Sequence, residues 1–261
     1  MIRRILVFLM LLAAAAPAQW IDHATPGIPR TPAGKPDLSA PAPKLSDGKP
    51  DLSGIWVRIK PAKAPPGPEF GNTVTYYMPE GAKIPFQPWA EALLNKRRYE
   101  DLGGGRPSER CLPHGILGGM LPNTPFKLAQ TPGLTIMLYE QFNHYRQIFT
   151  DGRAHPKDPN PAWYGYSTGN WDGDTFVVDT EGFNDRTWLD DSGQPHTEAM
   201  RTLERFRRID FGHMDLAITI DDPKAYTEPW SVMIHLALMP DTEMIEDVCE
   251  NERDAAHAVG K

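Results

Sequence analysis

Cysteine, basic residues and long apolar runs are all scarce in this sequence, and each scarcity removes a class of function. Two cysteines, Cys111 and Cys249, cannot by themselves build a structural zinc site. Lys and Arg total 27 against 34 Asp and Glu, a net charge of −7, so the basic surface that nucleic-acid binding requires is missing. Past the first sixteen residues no apolar run approaches the roughly 20 residues of a membrane-spanning helix, so no transmembrane segment is expected in the mature chain. Nothing in the sequence calls for a cofactor.

What is present begins with a leader. Arg3 and Arg4 precede an apolar stretch, Ile5–Ala16, and Ala16-Pro17-Ala18 supplies small residues for cleavage after Ala18. Residues 1–18 therefore read as a Sec signal peptide, and the mature protein is expected in the periplasm or outside the cell. Its charge would then be 25 basic against 34 acidic residues, or −9. An even cysteine count in an exported chain predicts a Cys111–Cys249 disulfide. Closing so long a loop would constrain the unfolded chain by roughly 5 kcal/mol in the entropy model.

With 40% hydrophobic residues the chain can fill a core, while Pro 27 and Gly 22 argue against a helical bundle. Residues 19–52 read as a proline-rich, extended or disordered arm in which Gly34-Lys35-Pro36-Asp37-Leu38-Ser39 recurs as residues 48–53. A further extended segment spans Pro61–Pro68. One helix is predicted near residues 88–102, opened by Pro88 and closed by Gly103-Gly104-Gly105. From Leu134 the period becomes two. Strands are expected at Leu134–Tyr139, Tyr145–Thr150, Trp163–Trp171, Thr175–Thr180, Leu203–Ile209, Leu216–Asp221, Trp230–Leu238 and Glu243–Cys249, after a first strand at Ile55–Ile59. This predicts a mainly β domain over residues 53–261, an antiparallel meander forming a calycin-like barrel or a two-sheet sandwich.

Four constellations could carry chemistry. Gly165-Tyr166-Ser167-Thr168-Gly169 matches G-x-S-x-G, with acids and His196 following in order, although a hairpin rather than a helix comes next. Asn184–Glu198 is the densest polar stretch, where His196 with Glu198 or Asp190 could exchange protons; the bland reading is a loop bonded to itself. No H-x-H or H-E-x-x-H pattern completes a metal site there. Leu203–Ile209 carries charge on both faces, which fits either a polar lumen with Arg–carboxylate pairs or an ion-pair ladder on a solvated face. Trp163, Tyr166, Trp171 and Trp188, with Asn184 and Arg205, could line a pocket for an apolar or sugar-like molecule.

Several motifs together resemble a widespread group of uncharacterised exported bacterial proteins. They are Cys111-Leu112-Pro113-x-Gly115, Gly165–Thr175, Gly182-Phe183-Asn184-Asp185, Trp188-Leu189-Asp190, Pro195-His196-x-Glu198, Glu204-Arg205-Phe206-Arg207-Arg208, Asp222-Pro223-x-Ala225-Tyr226 and Cys249-Glu250-Asn251. The resemblance implies export and a single domain from about Trp56 onward. No reaction comes with it, so no residue role is carried over. The expected function is binding of a small organic ligand. The alternatives are a hydrolase or lyase-type enzyme using His196 with Asp190 or Glu198, or Ser167, and an envelope protein that binds a partner through its arm.

Overall fold

Alternation of buried and exposed residues resolves into nine strands among the described residues, and they close into a barrel in sequence order. The computed structural model describes residues 24–62, 64, 73–101 and 106–249. The leader, most of Pro61–Pro68, Leu102 with the Gly103–Gly105 stop, and Glu250-Asn251 lie outside them. The strands are β1 (Gly54–Arg58), β2 (Phe126–Thr131), β3 (Leu134–Tyr139), β4 (Tyr145–Phe149), β5 (Tyr166–Asp172), β6 (Thr175–Glu181), β7 (Arg201–Arg208), β8 (His213–Asp221) and β9 (Trp230–Leu238). The sandwich alternative is not formed: β9 pairs with β1, Trp56 opposite Leu238, and seals the sheet.

The meander is broken once. β4 and β5 run parallel, with Ile148 opposite Ser167, whereas every other neighbouring pair is antiparallel. A parallel pair needs a crossover of a dozen residues or more, and the proline-bearing segment 150–165 supplies it. Two strand expectations change. Residues 126–131 form β2, unread from the sequence, joined to β3 through Pro132-Gly133. Glu243–Cys249 is not a strand: it has a single bridge, Gln141 to Asp247, and a bond from Ile245 N–H to Glu140.

Inward-facing side chains fill the barrel. Trp56, Phe126, Leu128, Met137, Ile148, Phe176, Val178, Phe206, Leu216, Ile218, Val232, Ile234 and Leu236 are all buried. The barrel interior is thus a packed core, as in other small barrels. One end carries the hairpin turns after β2, β5 and β7. At the other end lie the long connections, including α1 (Pro88–Asn95) and α2 (Gly115–Gly118). α1 has its proline in the first turn and buries Ala90 and Leu94, then continues as one π-helical turn, Lys96–Glu100.

Within the arm, each copy of the duplicated hexapeptide makes the same small turn. Thr31 N–H bonds to Lys35 O and Asp37 N–H to Pro29 O; fourteen residues on, Leu45 bonds to Lys49 and Asp51 to Pro43. Gly34 (φ +77°) and Gly48 (φ +81°) occupy the left-handed corner that favours glycine. Leu38 packs on the core and Leu52 is fully buried. Phe211 and Gly212, in the turn after β7, bond to Ala40 and Leu38, so the arm is strapped across the hairpin end. Cys111 and Cys249 form the expected disulfide, with Cα atoms 5.5 Å apart. No helix among the described residues is long and apolar enough to cross a membrane.

Candidate functional site

The polar stretch Asn184–Glu198 lies at the loop end, where most of its hydrogen-bonding capacity is already used internally. Buried Asp190 accepts bonds from Val74 N–H (2.8 Å), Ser192 N–H (2.9 Å), Ser192 Oγ (2.9 Å) and Gln194 Nε2 (3.2 Å). Burial pushes its carboxyl above the ordinary value while those donors pull it down. His196 is buried, with Nε2 2.5 Å from Thr187 Oγ1 and Nδ1 3.2 Å from Thr197 O. Burial holds its imidazole below the ordinary value, hence neutral. Asn184 accepts from Arg186 N–H, and Asp222 ties Thr197, Lys224 and Ala225 together. From α1 and its π turn, Arg97 and Arg98 donate to Gly193 O and Ser192 O, and Arg97 lies 4.7 Å over the Trp188 ring. This is the self-bonded loop. Glu198 points away from it, exposed beside a surface cleft it shares with Glu181, Asp221 and Arg201.

Ser167 does not meet His196. Alternation turns Ser167 into the barrel, where its hydroxyl accepts from Arg146 Nε (3.0 Å) and contacts Thr180 Oγ1 (3.0 Å). Arg146 spans to Glu204 at 2.5 and 3.0 Å, and both side chains are essentially fully buried. β7 realises the ion-pair ladder on its outer face, whereas its inner face meets a packed core that holds one buried ion pair and not a polar lumen. Its inner Glu204 closes a pair across the interior, while Arg201 and Arg205 on the outer face pair with Asp179 and Asp172 on neighbouring strands.

The aromatic residues do not gather into one pocket. Trp163 sits half-buried at the loop end, its carbonyl close to Gly115. Tyr166 stacks outside the barrel on Phe149, with ring centres 5.1 Å apart. Trp171 faces the opposite, hairpin end, five residues or about 16 Å further along β5. The pocket framed jointly by the aromatic hairpin and the Asn184–Glu198 loop is therefore not formed, because strand length separates its two halves.

Around Trp171 the hairpin end holds a cleft of about 460 Å³. Its walls are Gln130, Thr131 and Thr135 from β2 and β3, Thr150 after β4, Gly169 and Asn170 beside Trp171, and Leu45-Ser46-Asp47 from the second arm turn. Gly169 is bare for a reason: a Cβ there would lie 2.5 Å from Phe176 Cζ, so Phe176 fills the space beneath. Phe176 packs against the indole at 5.2 Å, and Lys49 Nζ stands 5.9 Å from the ring. Gln130 Oε1 accepts from Leu52 N–H at 2.5 Å, fixing the arm along one edge. Ser46 and Asn170 are exposed at the rim, Thr150 and Trp171 are half-buried, and Thr135 is buried at the floor. Only Trp171 of this set was legible in advance; Thr135 and Thr150 looked like ordinary strand residues, and the Pro132-Gly133 turn was the available signal that their strands meet here.

Among the described residues no group of three or more His, Cys, Asp or Glu side chains is placed to hold a metal ion. No family model matches the chain, and no curated protein or solved structure matches it either.

Proposed function

We propose that this is an exported protein that binds a small, neutral, hydroxylated organic molecule in the cleft at Trp171. One observation carries the reading: in a recess of ligand size, about 460 Å³, one indole stands among the hydroxyl and amide side chains of Ser46, Thr135, Thr150 and Asn170. Pockets for small molecules combine such an apolar surface with a few convergent polar groups, and barrel mouths are a preferred place for them. A polyol or sugar offers both an apolar ring face and several hydroxyls. The Cys111–Cys249 disulfide supports an oxidising location, periplasmic or extracellular, and the motif resemblance to exported proteins points the same way.

Calorimetric titration with a panel of neutral mono- and disaccharides tests this, together with native mass spectrometry of the purified chain. Saturable binding by a panel member is expected, weakened at least about tenfold in Trp171→Ala. Absence of both binding and a co-purified molecule would reject it. Conversion of a bound sugar that His196→Ala abolishes would favour the acid–base enzyme instead, and capture of a protein by the arm alone would favour partner binding.

A further inference from the structure

A second cavity opens on the other side of the arm, about 310 Å³ in volume, between Thr25–Ile28 and Pro43 of the arm and Ile55, Phe211, Leu238 and Met239 of the barrel. Apolar side chains make most of its wall, and Arg208 stands in it. Arg208 is 7% exposed. Its guanidinium lies 4.9 Å over the Trp56 ring and 5.0 Å over Phe211.

Like Arg97 and Arg98, this cation is held by main-chain carbonyls rather than by a carboxylate. Arg146, Arg201 and Arg205 each end on a carboxylate. Arg208 donates instead to three main-chain carbonyls, those of Asp51, Asp210 and Phe211. Asp51 and Asp210 are near enough for their charge to be felt, but their carboxylates are turned to Ser53 N–H and to Gly212 N–H and His213. One N–H on each terminal nitrogen of Arg208 is left over, since a guanidinium carries five. Burial lowers its pKa to about 10, while the charges of Asp51 and Asp210 act in the opposite direction. Lys127 and Glu243, paired with each other at 3.3 Å, and Asp51 also stand in the cavity wall.

We propose that this cavity binds a small amphipathic carboxylate, its apolar body against Ile28, Ile55 and Leu238 and its anionic head on Arg208. A guanidinium offers a carboxylate two parallel N–H groups, and a partly desolvated charge pair strengthens that contact. The cavity is at the lower end of the usual size for small-molecule sites, about 300–1,000 Å³. This site is separate from the one at Trp171 and does not depend on it.

Octanoate is the probe, with octanol as its uncharged counterpart. Octanoate should bind saturably and raise the unfolding temperature, and octanol should bind at least about tenfold more weakly. Ile28→Trp, which adds bulk to the arm's side of the cavity, should abolish octanoate binding, as should Arg208→Gln if that chain folds. Trp171→Ala should leave octanoate binding unchanged. Equal binding of octanol, unchanged binding in Ile28→Trp, loss in Trp171→Ala or no saturable octanoate binding would each overturn the proposal.

Discussion

Glu204 and Arg146 face each other across a barrel interior that is otherwise largely apolar, so the worth of each depends on the other. Removing one partner of a buried pair leaves an uncompensated charge, which costs about 3–5 kcal/mol. Glu204→Gln should therefore lower the free energy of urea unfolding by about that amount, while the double replacement Arg146→Met/Glu204→Leu should cost distinctly less. His196 gives a pH prediction. Burial depresses its folded-state pKa below the ordinary 6.5, and His114 and His144 are depressed for the same reason. The unfolded chain then binds more protons than the native one once the pH falls below 6.5, so stability is full above that value and lost beneath it. Unfolding curves measured between about pH 7 and pH 5 should show this decline, with a shallower slope in His196→Asn.

At the scale of elements, the arm illustrates how a sequence with little periodicity can still be structured. Its two turns repeat because the same residues recur: glycine at the corner, proline closing the bridge, and Asp37 or Asp51 accepting the N–H of Ser39 or Ser53. The copies differ in depth, since Leu52 is fully buried and Leu38 only partly. Leu52→Ala should cost about 2–5 kcal/mol in unfolding free energy, and Leu38→Ala clearly less, because cavity cost follows burial. On the barrel wall, Gly169→Ala would press on Phe176 and Ile148 at under 3 Å and should destabilise by about 1–3 kcal/mol in the same assay.

For the whole molecule, closure is enforced twice, by β9 pairing with β1 and by the disulfide that ties Cys111 beneath the loop end to the chain's tail. The cross-link spans 138 residues, so breaking it releases a large loop in the unfolded state. Cys111→Ser/Cys249→Ser, or reduction of the native chain, should lower stability by up to about 5 kcal/mol and visibly reduce the unfolding temperature. The two cavities at the hairpin end share the arm as a wall, yet they differ in chemistry. One sets hydroxyl and amide groups around Trp171, with Asp47 in its wall, and the other sets Arg208 among apolar side chains, with Asp51, Lys127 and Glu243 in its wall.

Local signals sufficed for much of this. Two-residue alternation marked most of the strands, Pro88 marked the helix start, and an even cysteine count marked the bridge, because each reflects a near-neighbour constraint that the chain carries with it. Only the folded chain decided the rest. The parallel β4–β5 pairing, the inward direction of Ser167 and Glu204, and the separation of Trp171 from His196 depend on which strand lies beside which. That choice is made by packing between residues far apart in sequence. The polar loop shows the physical difference most clearly: its composition looked reactive, but tertiary contacts tie up most of its side chains, Asp190, Asn184 and His196 among them.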